Sequence, residues 1–138
     1  MKIVYWSGTG NTEEMANLIG NGITESGKNV ELISVSDAKA DIFDDEEIII
    51  LGCPAMGDEV LEESEFDPFI ESIEGKVSNK KVALFGSYGW GDGKWMKDWE
   101  ERMSSCGANL ICEGLIVNGY PEGDCGKECI EFGKNIAR

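Results

Sequence analysis

The sequence predicts an α/β protein with a five-stranded parallel sheet covered by helices on both faces. Short apolar runs rich in β-branched residues alternate with longer amphipathic stretches along the chain. One of these runs, Ile48-Ile-Ile-Leu-Gly-Cys53, is apolar on both faces, as a central parallel strand must be. Three loops that follow strands carry ligand-type residues, which points to one crevice at the carboxyl ends of the strands.

The elements follow in order. Met1 to Trp6 reads as a first strand and runs into Ser7-Gly-Thr-Gly-Asn-Thr12. A helix starts at once, with Met15, Ala16, Ile19, Gly22 and Ile23 on one face. Val30 to Val35 is a shorter strand, and Asp37 to Glu47 an acidic connection with a helical turn. After Ile48–Cys53 comes a long loop, Pro54 to Glu65, and a short helix through Phe66, Phe69, Ile70 and Ile73. Lys81 to Gly86 is another buried strand, ending in a loop from Ser87 to Gly91. In the next helix Trp95, Trp99 and Met103 recur every fourth residue, with Met96 on the same face. Asn109 to Val117 gives the last strand, interrupted near Glu113-Gly114. The helix from Asp124 to Ala137 turns Cys125, Cys129, Phe132, Gly133 and Ile136 inward.

At 138 residues, without repeats or a linker, the chain is expected to be one domain, 1–138. Its 12 Lys and Arg stand against 27 Asp and Glu, a formal charge of −15. Nucleic acid and anionic membranes are therefore poor partners, whereas proteins with basic docking patches are natural ones. Five cysteines, no C-x-x-C and no histidine argue against a metal site and for free, reduced thiols. Met1-Lys2 leads straight into a strand and no apolar stretch reaches membrane-spanning length. A cytoplasmic monomer is expected.

Ser7 to Thr12 forms a strand-to-helix loop whose free N–H groups and positive helix end suit an anion. It contains no Lys or Arg and no Walker Gly-Lys-Ser/Thr, so a nucleoside triphosphate is disfavoured. Glu13 stands where the third glycine of G-x-G-x-x-G belongs, so the dinucleotide pattern fails too. A neutral nest for one phosphate remains. Simple helix capping by Asn11 or Thr12, with Glu14 closing a capping box, needs far fewer ligand-type residues.

Two further loops carry side chains outside any core periodicity: Met56 in Pro54-Ala-Met-Gly-Asp-Glu59, and Trp90 in Ser87-Tyr-Gly-Trp-Gly91. A thioether and an indole at one crevice can sandwich a flat aromatic ligand. Trp95 and Trp99 sit at helical spacing and read as core.

These three motifs, in this order and after these strands, closely resemble short-chain flavodoxins of the clostridial type, over essentially the whole chain. The resemblance implies a flavodoxin-like three-layer sandwich, strand order 2-1-3-4-5, one bound FMN and low-potential single-electron transfer between redox enzymes. It implies that Ser7, Gly8, Thr9, Gly10, Asn11 and Thr12 hold the FMN phosphate. It implies that Pro54, Ala55, Met56, Gly57, Asp58 and Glu59 also bind the FMN, with Met56 on the inner face of the isoalloxazine. Ser87, Tyr88, Gly89, Trp90 and Gly91 are implied to bind it as well, with Trp90 on the outer face and backbone N–H groups from Gly89 to Gly91 at the pyrimidine end. The Gly57-Asp58 peptide would turn over with redox state at flavin N5, and Glu59 would accept the N3 hydrogen. Pro54 stands where some relatives carry a phosphate-reaching serine, and Asn118-Gly119 does not match the family's last loop.

A carbonyl able to swing toward protonated N5 stabilises the neutral semiquinone, and Gly57 suits that motion. Asp58, Glu59, Glu62, Glu63, Glu65 and Asp67 crowd beside the proposed ring and would disfavour the anionic hydroquinone. At ~12 Å and an effective dielectric of ~40, each like charge costs ~0.7 kcal/mol, or ~30 mV per electron.

The leading expectation is an electron carrier without substrate turnover, cycling mainly between semiquinone and hydroquinone. An FMN-dependent NAD(P)H–quinone reductase on the same fold is the runner-up. It would need extra segments, and −15 repels NAD(P)H. A phosphate-sensing module would not need Met56 and Trp90, and no Cys-x5-Arg loop follows Cys53 for a phosphatase.

Overall fold

The computed structural model describes residues 1–138. Strands β1 (Lys2–Tyr5), β2 (Glu31–Ser34), β3 (Ile48–Gly52) and β4 (Lys81–Tyr88) pair in parallel. The fifth strand is split into β5 (Asn109–Leu110) and β6 (Leu115–Asn118), both paired with β4. The order is β2-β1-β3-β4-β5, with β6 continuing beside β4. The predicted interruption has a visible cause. Between the two pieces the chain dips onto the third helix, where Gly114 N–H donates to Glu100 Oε2 at 2.8 Å and Gly114 packs on Met96.

Helices α1 (Asn11–Glu25) and α4 (Asp124–Ala137) cover one face, and α2 (Phe66–Ile73) and α3 (Lys94–Ser105) the other. Side chains alternate across the sheet as the pleat requires. Ile3, Ile50, Ala83 and Phe85 point to α1 and α4, while Val4, Ile49, Leu51, Val82 and Leu84 point to α2 and α3. Trp95, Trp99, Met96 and Met103 are buried in the second core, as their spacing predicts. The face predicted for α1 is buried in full, whereas on α4 Cys125 lies at the margin and Gly126 is buried. Two glycines let α1 and α4 touch backbone to backbone. A Cβ on Gly22 would lie 2.0 Å from the Ile130 carbonyl oxygen, and one on Gly133 2.1 Å from that of Ile19.

One boundary moves in a way that matters. Ser87 and Tyr88 belong to β4, not to the loop after it, because β6 pairs with them through Val117 and Asn118. The chain passes from β2 over β1 to β3, so strand order reverses beside β1, where a crevice opens in such sheets.

Candidate functional site

A cavity of about 270 Å³ opens over the carboxyl ends of β1, β3 and β4. It gathers Ser7, Gly8, Thr9, Asn11 and Thr12 from the first loop with Pro54, Ala55 and Met56 from the second. Ser87, Tyr88 and Gly89 complete it from the third. Gly10 instead closes the first loop at φ 96°, immediately before α1.

The first loop is held by its own serine. Ser7 Oγ accepts from the N–H groups of Gly10 and Glu13, both at 3.2 Å. Its hydroxyl hydrogen is thereby left to donate outward. Neither Asn11 nor Thr12 caps α1 through its side chain, so the simple capping reading does not describe this loop. The N–H groups of Thr9, Asn11 and Thr12 find no acceptor within the chain, which makes the helix start a nest of free donors. No cation lines the cavity, so an anion there is held by N–H groups, hydroxyls and the helix dipole alone.

Thr12, 1 % exposed, is turned inward to Ser87, 4 % exposed. Their hydroxyl oxygens lie 2.9 Å apart, and Ser87 N–H donates to Thr12 Oγ1 at 3.4 Å. Ser87 in turn accepts from Ala55 N–H at 3.0 Å, and the next carbonyl, Tyr88, from Gly119 N–H at 2.9 Å. One residue therefore ties all three predicted loops together.

The second loop is a tight turn. Met56 O accepts from Glu59 N–H at 2.7 Å, and Met56 N–H donates to Val60 O at 2.9 Å. The left-handed residue in this turn is Glu59, at φ 56°, and not Gly57. A Cβ on Gly57 would touch nothing within 4 Å, and Gly57 and Asp58 are both exposed. Glu59 folds toward the third loop, so that a Cβ on Gly91, at φ 90°, would sit 2.3 Å from Glu59 Oε1. That oxygen is buried and has no hydrogen-bond partner. Trp90 lies between Gly89 and Gly91 and is 64 % exposed, outside the cavity that Met56 lines.

The acidic segment after this turn is not uniformly a solvated rim. Glu62 is buried, and its carboxylate accepts from Ser64 Oγ and from the N–H groups of Ser64, Glu65 and Phe66. Burial alone would raise its pKa, but these bonds to the charged form lower it to about 2. Glu62 is thus an anionic cap for α2, a signal hidden in sequence among neighbouring acids. Asp67 pairs with Arg102, which also binds Glu74. Of the six acids expected to crowd the ring, Glu62 and Asp67 are therefore committed to structure, whereas Asp58, Glu63 and Glu65 face solvent.

Beneath the loop, Cys53 is fully buried, its Sγ accepting from Glu62 N–H at 3.4 Å. Burial pushes its thiol far above the ordinary value. Sequence reasoning did not assign Trp6 or Gly119, which also line the cavity. Trp6 was legible as an aromatic placed directly before the loop. Gly119 lies on the turn after β6, and no local pattern marks it.

The fold and this cleft define a class: doubly wound α/β proteins that take a ligand over the carboxyl ends of their strands, with an anion nest at the first helix. The sequence profile of flavodoxins matches residues 3–133. The chain is 65 % identical over 137 residues to the flavodoxin of Clostridium beijerinckii, covering 99 % of both proteins. It is 46 % identical to that of Megasphaera elsdenii over 138 residues, 100 % of this chain and 98 % of the relative. The solution structure of two-electron reduced Megasphaera elsdenii flavodoxin superposes with a TM-score of 0.90 at 47 % identity, covering 99 % of this chain and 97 % of that one. The chain belongs to the flavodoxin family, in its short, clostridial-type branch. It is an FMN-binding electron-transfer protein, a carrier and not an enzyme. No helix is long and apolar enough to cross a membrane.

Proposed function

We propose that residues 1–138 act as one domain that shuttles single electrons between redox enzymes. It works mainly between the one-electron and two-electron reduced states of its FMN. The observation that carries this reading is the convergence of three loops on one cleft, pinned through Ser87 and Thr12.

The residues present fit FMN. The free N–H groups of Thr9, Asn11 and Thr12, with the Ser7 and Thr9 hydroxyls, suit its phosphate. Gly8 and Gly10 let the backbone approach it. Pro54, Ala55 and Met56 supply the inner wall, with Tyr88 and Gly89 opposite. The Glu59 carboxylate, one of whose oxygens is buried without a partner, suits the flavin N3–H as an acceptor through its other oxygen. Trp90 and Gly91 complete the outer side, the exposed indole being free to fold over a ring.

Bound FMN supplies the one-electron chemistry. The chain orients it, shields one edge from water and offers the Gly57 carbonyl at N5 through a turn that no packing blocks. Exposed Asp58, Glu63 and Glu65 surround the site with negative charge, which disfavours the fully reduced anion and favours partners with basic docking patches. The −15 charge also keeps copies apart, in line with a monomer, and the free thiols suit the cytoplasm.

Titrating FMN-free protein with FMN tests this directly. Stoichiometric quenching of flavin fluorescence, with affinity weakened by Ser7→Ala with Thr9→Ala, is the expected result. Affinity undiminished by those changes would remove the Ser7 and Thr9 hydroxyls from the site.

A further inference from the structure

Two buried side-chain polar atoms have no partner, Oε1 of Glu59 and Nε1 of Trp99. Both residues line the same cleft, of about 180 Å³, together with Leu61, Asp67, Trp95 and Arg102. This cleft shares no residue with the cavity over the first loop. The two atoms are complementary, since an indole N–H only donates and an ionised carboxylate only accepts. The other polar groups around them are engaged. Asp67 is paired with Arg102, Asp98 with Lys94, and Trp95 Nε1 donates to the Cys53 carbonyl at 3.1 Å. A buried donor left unpaired is costly, and two that complement each other on one cleft are a pair waiting to form.

We infer that Trp99 is a positioning residue for Glu59, its indole N–H pairing with the carboxylate across this cleft, directly or through one water. Trp99 is the fixed partner. It is 1 % exposed and meets Phe66 edge to face, with ring centroids 5.5 Å apart at 90°. Glu59 is the movable one, partly exposed at the end of a tight turn and in the left-handed region at φ 56°. One carboxylate oxygen engaged by Trp99 leaves the other for the cofactor side. The pairing itself needs no cofactor, whereas its effect on FMN rests on the reading of Glu59 as the N3–H acceptor.

The test is the ¹⁵N–¹H spectrum of the tryptophan side chains in FMN-free protein, with Trp99 assigned through Trp99→Phe. The expected result is that Glu59→Gln shifts the Trp99 Nε1–H resonance while Glu63→Gln leaves it in place. A Trp99 resonance unmoved by Glu59→Gln, or moved equally by both, overturns the inference. In FMN titrations Trp99→Phe should raise Kd about threefold to tenfold, the range of one hydrogen bond, with no further loss when added to Glu59→Gln. Fully additive losses also overturn it. If Glu59→Gln shifts the resonance but leaves FMN affinity intact, the pairing stands and the N3–H reading falls.

Discussion

Thr12 Oγ1 and Ser87 Oγ lie 2.9 Å apart across 75 residues of sequence, both buried. The contact joins the first turn of α1 to the end of β4, and Ser87 also holds the second loop through Ala55. A hydroxyl expected to face a phosphate is thus engaged in building the cleft around it. Its N–H remains for the ligand.

Replacing Thr12 with Val keeps the side-chain volume and strands the Ser87 hydroxyl and N–H. The expected loss of stability is about 1–3 kcal/mol, read by urea unfolding of FMN-free protein. Thr12→Val with Ser87→Ala should cost less than the sum of the two single changes, because neither hydroxyl is then left without its partner.

Gly91→Ala forces a side chain into φ 90° and against Glu59 Oε1, 2.3 Å from the new Cβ. FMN affinity should fall about tenfold or more while inorganic phosphate binding to the FMN-free protein is unchanged. Equal weakening of both ligands would show a general distortion instead.

Glu62 links stability to pH. Its folded pKa, about 2, lies below its ordinary value of 4.5, so its contribution is fully present above pH 4.5 and is lost as pH falls toward 2. The contribution is on the order of 3 kcal/mol. Glu62→Gln should therefore lower stability at pH 7 and flatten the decline between pH 4.5 and 2, as measured by unfolding across that window. Parallel profiles for the two proteins would contradict the capping role.

Thiol reactivity should sort by burial. Cys112 is exposed, although partial burial and then Glu100 and Glu113 raise its pKa. Cys53 and Cys129 are buried, the latter pushed up to about 12. An aromatic disulfide reagent should modify Cys112 first, Cys112→Ser should remove that phase, and Cys53 should react only in denaturant.

Most of the fold was legible because its signals are local. The doubly apolar Ile48–Gly52, the four-residue recurrence of Trp95, Trp99 and Met103, and the Ser7–Thr12 loop each announce their element without a partner. What stayed hidden depends on pairing across the chain. Ser87 and Tyr88 read as loop because Val117 and Asn118, which make them strand, lie some thirty residues away. Glu62 and Asp67 read as two more surface acids, since a cap onto the N–H groups of Glu65 and Phe66 and an ion pair with Arg102 leave no mark on spacing. Gly119 enters the cavity only through the Tyr88 carbonyl. The strain of the second turn falls on Glu59 and not on the glycine two residues earlier, which only backbone angles reveal.

The central measurement is an anaerobic reductive titration of the FMN-loaded protein, followed by its visible spectrum, with Gly57→Val beside it. The expected result is a large long-wavelength band from the one-electron, N5-protonated flavin before full reduction. That band should shrink in Gly57→Val, whose added Cβ meets no neighbour in the turn. Direct bleaching of the native protein to the two-electron state, without that band, would contradict single-electron shuttling.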